Sequence, residues 1–280
     1  MMTETMQATA AEFERGTAPS ARRRARAALV AEWIKLRSLR SMLVTLALTA
    51  VFCIGWPTLT CWNWVHNWPT ADAATKAACN PLDTNFNFVL IGVLFFGVLG
   101  ALVVTNEYGN GLIRTTFAAT PQRGLVLAAK TALLTFIALF ASAVVCFTAF
   151  LTGQGVLSGH LPHVTLADPG VLGHVLGAVF YMTAVGVIGV FIGALTRSTA
   201  VAMSGVFGII LVLPIMVSGV PRNNPVWRYT VPYLPSNLGD ALWHSHADGL
   251  TSPTAAVFLL LAYIVVLSAL AALSLRRRDA

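Results

Sequence analysis

The chain has 280 residues, of which 56% are hydrophobic and only 10% charged, with a formal net charge of +7. Soluble domains carry nearer a quarter of their residues as charges, and a water-soluble fold has no means of hiding several uncharged stretches of about 20 residues. The basic residues sit at the ends of those stretches, where lipid headgroups would lie, which argues against a nucleic-acid surface.

Residues 1–21 show no apolar periodicity and are expected to form a disordered cytoplasmic tail, leaving 22–280 as one membrane domain. About 40 polar residues precede the first apolar run, too many for the n-region of a signal peptide, so the first span is read as retained. The basic run Arg22-Arg23-Arg24-Ala25-Arg26 leads into ALVAEWIKLRSLRS. There Leu29, Trp33 and Leu36 recur at helical spacing, with Val30 and Ile34 beside them and Glu32 and Lys35 opposite. The pattern predicts a helix lying in the cytoplasmic interface, its arginines reaching toward phosphates. Arg37 and Arg40 fall near the apolar side, so a basic, irregular anchor is the other reading.

Six apolar runs follow, at about 42–60, 86–105, 126–151, 171–195, 200–220 and 254–275, each long enough to cross about 30 Å of hydrocarbon. The fold class predicted is therefore an all-α integral membrane protein with six transmembrane helices. Orientation follows from the basic residues on alternating sides. With the N-terminus inside, 15 of the 18 lysines and arginines fall on the inner side, and only Lys76, Arg222 and Arg228 on the outer. The acids are nearly even, six inside and five outside. An even span count brings Arg276, Arg277 and Arg278 inside as well, so both termini are predicted to be cytoplasmic.

The first outer loop, read as 61–85, holds the tryptophan cluster WNWVHNWP and the pair Cys61 and Cys79, a candidate disulfide in an oxidising compartment. The third, 221–253, is Pro-rich, and its apolar tail suggests short helices dipping back toward the membrane. His160 with His163, and His244 with His246, have the chemistry of metal ligands, but not the spacing of a closed site, and no metal is assigned. In span four Gly173 with Gly177, and Gly189 with Gly193, permit close helix approach, within the chain or between copies.

Between spans two and three the chain reads NEYGNGLIRTTFAATPQRGLVLAAK. Thr105 or Asn106 is placed to cap a short helix with Glu107 in its first turn, where a carboxylate favours the positive end of the dipole. Gly109 and Gly111 loosen that start, Pro121 ends it, and Arg123 begins the turn into span three. Such a compact charged helix suits the reception of force from a cytoplasmic partner; a simple polar connector is equally compatible with the residues.

These two segments carry a resemblance. AEWIKLRS before span one, with the long segment after span two, resembles the permeases of type 2 ABC exporters. Members often show E-x-x-K-L-x-R/S ahead of span one and E-Y-x-x-G-T-x-R-x-x-x-x-x-x-P-x-R-x-x-x-x-x-x-K after span two. The second element is matched here by Glu107, Tyr108, Gly111, Arg114, Pro121, Arg123 and Lys130, with Leu112 in place of the usual threonine. The motifs cover roughly 40 residues, and the six-span layout extends the likeness to the whole chain. The resemblance implies a connecting helix containing Glu32, Trp33, Lys35 and Leu36. It also implies a coupling helix, within 106–124, whose Glu107, Tyr108, Gly111, Arg114, Pro121 and Arg123 engage an ABC ATP-binding subunit. A second permease copy, or a similar chain, would complete the transport path in a bacterial plasma membrane. ATP and Mg would reside on the partner subunit, since GLVLAAKT at 124–131 has Ala129 where a P-loop needs glycine, and this chain would be no enzyme.

Three other functions compete. An ion-coupled secondary transporter places ionisable groups at mid-membrane depth, and these runs hold almost none. An intramembrane enzyme lacks support, because neither H-E-x-x-H nor G-x-S-x-G occurs. A membrane scaffold or immunity protein without transport is compatible with the sequence. The lack of charge within the spans points to an amphipathic or hydrophobic cargo.

Overall fold

The computed structural model describes residues 20–38, 40–113, 116, 122–221, 223–244 and 251–277, which are mostly helical with no strand among them. The N-terminal tail, Arg114, Pro121 and His246 lie outside the described residues. Helix α1 (Ala21–Ser38) leads almost directly into α2 (Arg40–Asn67), which ends in the 3-10 turn Trp68–Thr70. The short helices α3 (Ala73–Ala78) and α4 (Pro81–Phe86) precede α5 (Val89–Gly109). Then come α6 (Arg123–Leu157), α7 (Val171–Thr196) and α8 (Thr199–Phe207), the last continued by a π turn, Gly208–Val212, into α9 (Leu213–Ser218). Helices α10 (Pro225–Thr230), α11 (Pro235–Trp243) and α12 (Pro253–Arg277) complete the described chain.

Six of these helical stretches are long and apolar enough to cross a membrane: Arg40–Thr70, Pro81–Gly109, Arg123–Leu157, Val171–Thr196, Thr199–Ser218 and Pro253–Arg277. At about 1.5 Å per residue the shortest, of 20 residues, matches the hydrocarbon thickness of roughly 30 Å. The chain is a multi-pass all-α membrane protein with six such helices.

Burial identifies which span is central. In α7, 83% of the most apolar window is buried, against 17% in spans five and six. Helix α7 packs against α5, α6, α8, α11 and α12, so its apolar residues serve on every face. Glycine permits the closest of these contacts. A Cβ on Gly189 would stand 2.1 Å from the Gly97 carbonyl oxygen, and one on Gly100 would stand 1.9 Å from that of Gly186. The glycine pairs of span four thus serve packing within the chain at Gly177, Gly189 and Gly193, whereas Gly173 faces open space.

Two sequence boundaries move. Span one runs on through Asn67, so Cys61 and the tryptophan cluster belong to its last turns rather than to a loop. Residues Thr49, Cys53, Pro57 and Cys61, four apart, form its buried stripe. Cys61 is fully buried and Cys79, at the end of α3, partly so; both are free thiols. Burial lifts the Cys79 thiol above its ordinary value, so it stays protonated at neutral pH. The second shift concerns α5, which continues through Thr105 and Asn106 to Gly109 instead of breaking there. Thr105 does not cap a new helix, because its hydroxyl donates to the Ala101 carbonyl four residues back (3.0 Å).

The end of the bundle opposite α1 is closed by short helices and amide side chains. Asn85 donates to the Phe150 carbonyl (3.1 Å) and Gln154 to that of Pro81 (3.0 Å), while Gln154 Oε1 accepts from the Val164 backbone N–H (2.9 Å). Helix α11 is tucked against α7: a Cβ on Gly239 would strike the Tyr181 ring at 2.2 Å, and one on Gly177 would strike the Leu242 carbonyl oxygen at 2.2 Å.

Candidate functional site

Four charged side chains from three helices meet where α1, the end of α5 and the start of α6 converge. Glu32 on α1 is 2% exposed, Glu107 on α5 7% and Lys130 on α6 3%. Lys130 Nζ donates to Glu32 Oε2 (2.5 Å) and to Glu107 Oε1 (2.9 Å). Lys35 Nζ donates to Glu32 Oε1 (2.8 Å) and to the same Glu107 oxygen (3.2 Å), and also to Thr116 Oγ1 (3.0 Å). Two carboxylates and two ammonium groups thus form a closed ring of zero formal charge. Neutrality is what makes the site tolerable, since an isolated ion at this depth of burial costs several kcal/mol.

The local sequence explains how each member arrives. Glu32 and Lys35 are three apart on α1 and share one side of it. Ala28, Glu32 and Leu36, four apart, are the buried residues among those of α1 whose side chains are described, while Val30, Trp33 and Ile34 are exposed. This reverses the amphipathic reading of the sequence: the charged side of α1 faces the protein and much of its apolar side faces outward. An outward apolar face is favourable where the surroundings are lipid rather than water. Glu107 lies in the last turn of α5, not in the first turn of a separate helix. The negative end of the helix dipole disfavours a carboxylate there, and Lys35 and Lys130 offset it.

Burial pulls the Lys35 pKa down, but hydrogen bonds and charge from Glu32 and Glu107 outweigh it and hold the pKa above its ordinary value. A raised lysine pKa contributes stability that is whole below the unfolded-state value and lost as pH rises through the folded one. Thermal stability of the native chain should therefore be insensitive to Lys35 ionisation near neutrality and fall only in strong alkali. A Lys35→Met variant should lack that alkaline limb when melting is followed against pH.

Further contacts gather the neighbouring elements at this end. The Arg123 guanidinium donates to the Leu275 carbonyl (3.2 Å), tying α6 to the last turns of α12. Arg197, in the turn between α7 and α8, stands 5.4 Å from the centre of the Tyr108 ring, within the range of a cation–π contact. It is the non-glycine residue with positive φ (55°) among those described, and its Nε and Nη2 are buried with no hydrogen-bond partner among the described residues. Gly111 also has positive φ (68°), which suits the sharp turn after α5.

Of the sequence-selected residues, Glu32, Lys35 and Glu107 come together, Leu36 supports them from the core, Tyr108 and Arg123 lie alongside, and Trp33 points outward. Arg114 and Pro121 fall outside the described residues. Lys130, matched only as part of the second sequence element, is the further member of the ring, and an ionisable residue inside an apolar run is the signal that marks it. Arg197 carries no such signal, because nothing local marks a contact with a residue 89 positions earlier. Residues 124–131 lie within the uninterrupted α6, with none of the strand–loop–helix geometry a phosphate cradle requires. Among the described residues no three His, Cys, Asp or Glu side chains are grouped to hold a metal ion.

No match is found among the curated proteins. The family described as ABC-2 family transporter protein matches residues 28–216, from α1 to span five. That is well over half of the chain, and the chain belongs to this family of membrane transporter subunits.

Proposed function

We propose that the chain is the permease subunit of an ATP-driven exporter, moved by a separate ATP-binding subunit through the segment 106–124. Both termini, the 106–124 segment and the turn at Arg197 then face the cytoplasm of a bacterial plasma membrane. A second copy, or a similar permease, lines the other side of the path, and ATP and Mg stay on the partner subunit.

The observation that carries this reading is the buried ring of Glu32, Lys35, Glu107 and Lys130. It joins the helix ahead of span one, the end of span two and the start of span three at one point. Pulling one member away would strand a buried charge, at a cost of several kcal/mol. A push delivered to 106–124 is therefore passed to three helices at once instead of being absorbed in a loose loop. Glu107 acts in this scheme as a positioning residue from inside, while Arg114 and the exposed part of the segment supply the contact.

The test is co-purification. The tagged chain, extracted from its native membranes in mild detergent, should bring an ATP-binding subunit with it, and the Glu107→Ala plus Arg114→Ala variant should bring much less. Equal recovery with both chains would place the docking surface elsewhere. A native chain that brings no ATPase, under conditions preserving known membrane complexes, would favour the scaffold or immunity function over transport.

A further inference from the structure

Beside the charge ring, on the outer surface of the bundle, a groove of 540 Å³ runs between α1, α2 and α6. Trp33 of α1 stands at one edge, Ala50 of α2 leaves the hollow, and Phe136, Phe140 and Val144 of α6 form the far wall. Phe96 of α5, 1% exposed, is the floor. The three α6 residues are four apart, so they share one side of the helix over about 12 Å. Phe136 and Phe140 are 65% and 68% exposed. Trp33 follows Glu32 on α1, and Phe136 lies six residues beyond Lys130 on α6. The groove thus starts beside the ring and leads deeper along the spans, and a hydrocarbon chain is the occupant its walls favour.

Trp33 shares its side of α1 with positive charge. At 3.6 residues per turn, Arg26, seven residues before it, and Arg37, four after it, project from the same side, and all three are exposed. The Arg26 and Arg37 guanidinium groups have no hydrogen-bond or ion-pair partner among the described residues. The two described carboxylates at this end, Glu32 and Glu107, are bonded to Lys35 and Lys130 instead. The other described acids, Asp72, Asp83, Asp168 and Asp240, belong to the opposite end of the bundle. The outer side of α1 therefore carries a positive charge that no described acid offsets, directly above a groove that suits hydrocarbon.

We propose that this side of α1 and the groove beside it bind one anionic phospholipid. Arg37, one turn from Trp33, holds the phosphate, and Arg26 extends the positive field. Trp33 sits at the junction of headgroup and chain, and one acyl chain lies along Phe136, Phe140 and Val144. A zwitterionic lipid suits the site less, because its ammonium group meets the same arginines. A free phosphate gains nothing from the groove. A second copy of the chain suits it less as well, since a two-fold contact through this patch sets arginines against arginines. The bound lipid holds α1 against α2 and α6 from outside, as the charge ring does from within. Occupancy requires neither ATP nor a partner subunit, so its failure leaves the permease function where it stands.

Bromine on an acyl chain quenches a tryptophan it touches, so Trp33 can report on the groove. The purified full-length chain in neutral detergent should be quenched saturably by brominated phosphatidylglycerol, and the difference from a Trp33→Phe chain isolates the signal of Trp33. Brominated phosphatidylcholine should bind about tenfold more weakly. Arg37→Gln should weaken the anionic lipid by about fivefold, whereas Arg24→Gln, which removes the same charge from the side of α1 opposite Trp33, should change it by less than about twofold. Glycerol phosphate, which has the headgroup charge and no chain, should not displace the lipid. These substitutions fall on exposed residues, and all variants should elute as the native chain does on size exclusion. The proposal is overturned by equal quenching of Trp33 with the two lipids, by an Arg37→Gln chain that binds as the native one does, or by an Arg24→Gln chain that loses as much as Arg37→Gln. Displacement by glycerol phosphate would overturn it too. A native chain that elutes as a dimer, with Trp33 quenched by neither lipid, would assign the groove to a second copy instead.

Discussion

Lys130→Ala should be the most damaging single replacement of a charged residue, lowering the stability of the detergent-solubilised chain by about 3–5 kcal/mol. Lys130 is 3% exposed and bonds both Glu32 and Glu107. Its loss leaves two buried carboxylates with only Lys35 between them, and Lys35 is the more exposed of the two lysines. Neither carboxylate can turn to water without unseating α1 from α6. Intrinsic tryptophan fluorescence during heating should show a fall in Tm of about 10 °C. The double variant Glu32→Gln with Lys130→Met should recover more than half of that loss, because it removes both charges of one pair and leaves Lys35 with Glu107. A Lys130→Ala chain that melts within about 1 °C of the native one, or a double variant that melts lower still, would mean that the ring does not hold the three helices together.

The second large effect is expected at the seam between α5 and α7. Gly100→Ala places a methyl group 1.9 Å from the Gly186 carbonyl oxygen, and Gly189→Ala places one 2.1 Å from that of Gly97. Both obstacles are backbone atoms, which have no rotamer to yield. The helices must part along the most closely packed pair in the molecule, at a cost of about 1–3 kcal/mol or more for each methyl. Gly173→Ala is the control within the same helix. Nothing lies within 4 Å of its added Cβ, and alanine is favoured over glycine in a helix by about 0.5–1 kcal/mol. Reduced yield and lower Tm for the first two, with no loss for the third, would show that packing rather than helix propensity controls these positions. Equal behaviour of all three would show that α5 and α7 are less tightly joined than their geometry implies.

The membrane character and the six spans were legible because bilayer thickness sets the length of an apolar run whatever the tertiary fold. Span ends were less legible, since polar residues do not by themselves stop a helix. Thr105 and the Trp62–Asn67 stretch continue helices that composition alone would end. The segment after span two could be singled out from Glu107, Arg123 and the glycine after α5, but the geometry around it could not. Sequence distances of 98 residues between Glu32 and Lys130, and 72 between Lys35 and Glu107, leave no periodic trace.

The case of α1 states the difference most plainly. Its alternation of charge and apolar residues identified an amphipathic helix, expected to lie in the cytoplasmic interface with its arginines toward phosphates. The folded chain turns Glu32 and Lys35 inward, because two acids and two lysines neutralise one another better in a dry junction than any of them could alone, and it leaves Val30, Trp33 and Ile34 exposed. Hydrophobic length and the placement of basic residues are properties of short segments, so the amino-acid order alone was sufficient for the class of protein and the number of crossings. Which charges pair, which helix is central and where a cavity opens depend on contacts between segments far apart in the chain, and those arise only when the helices pack.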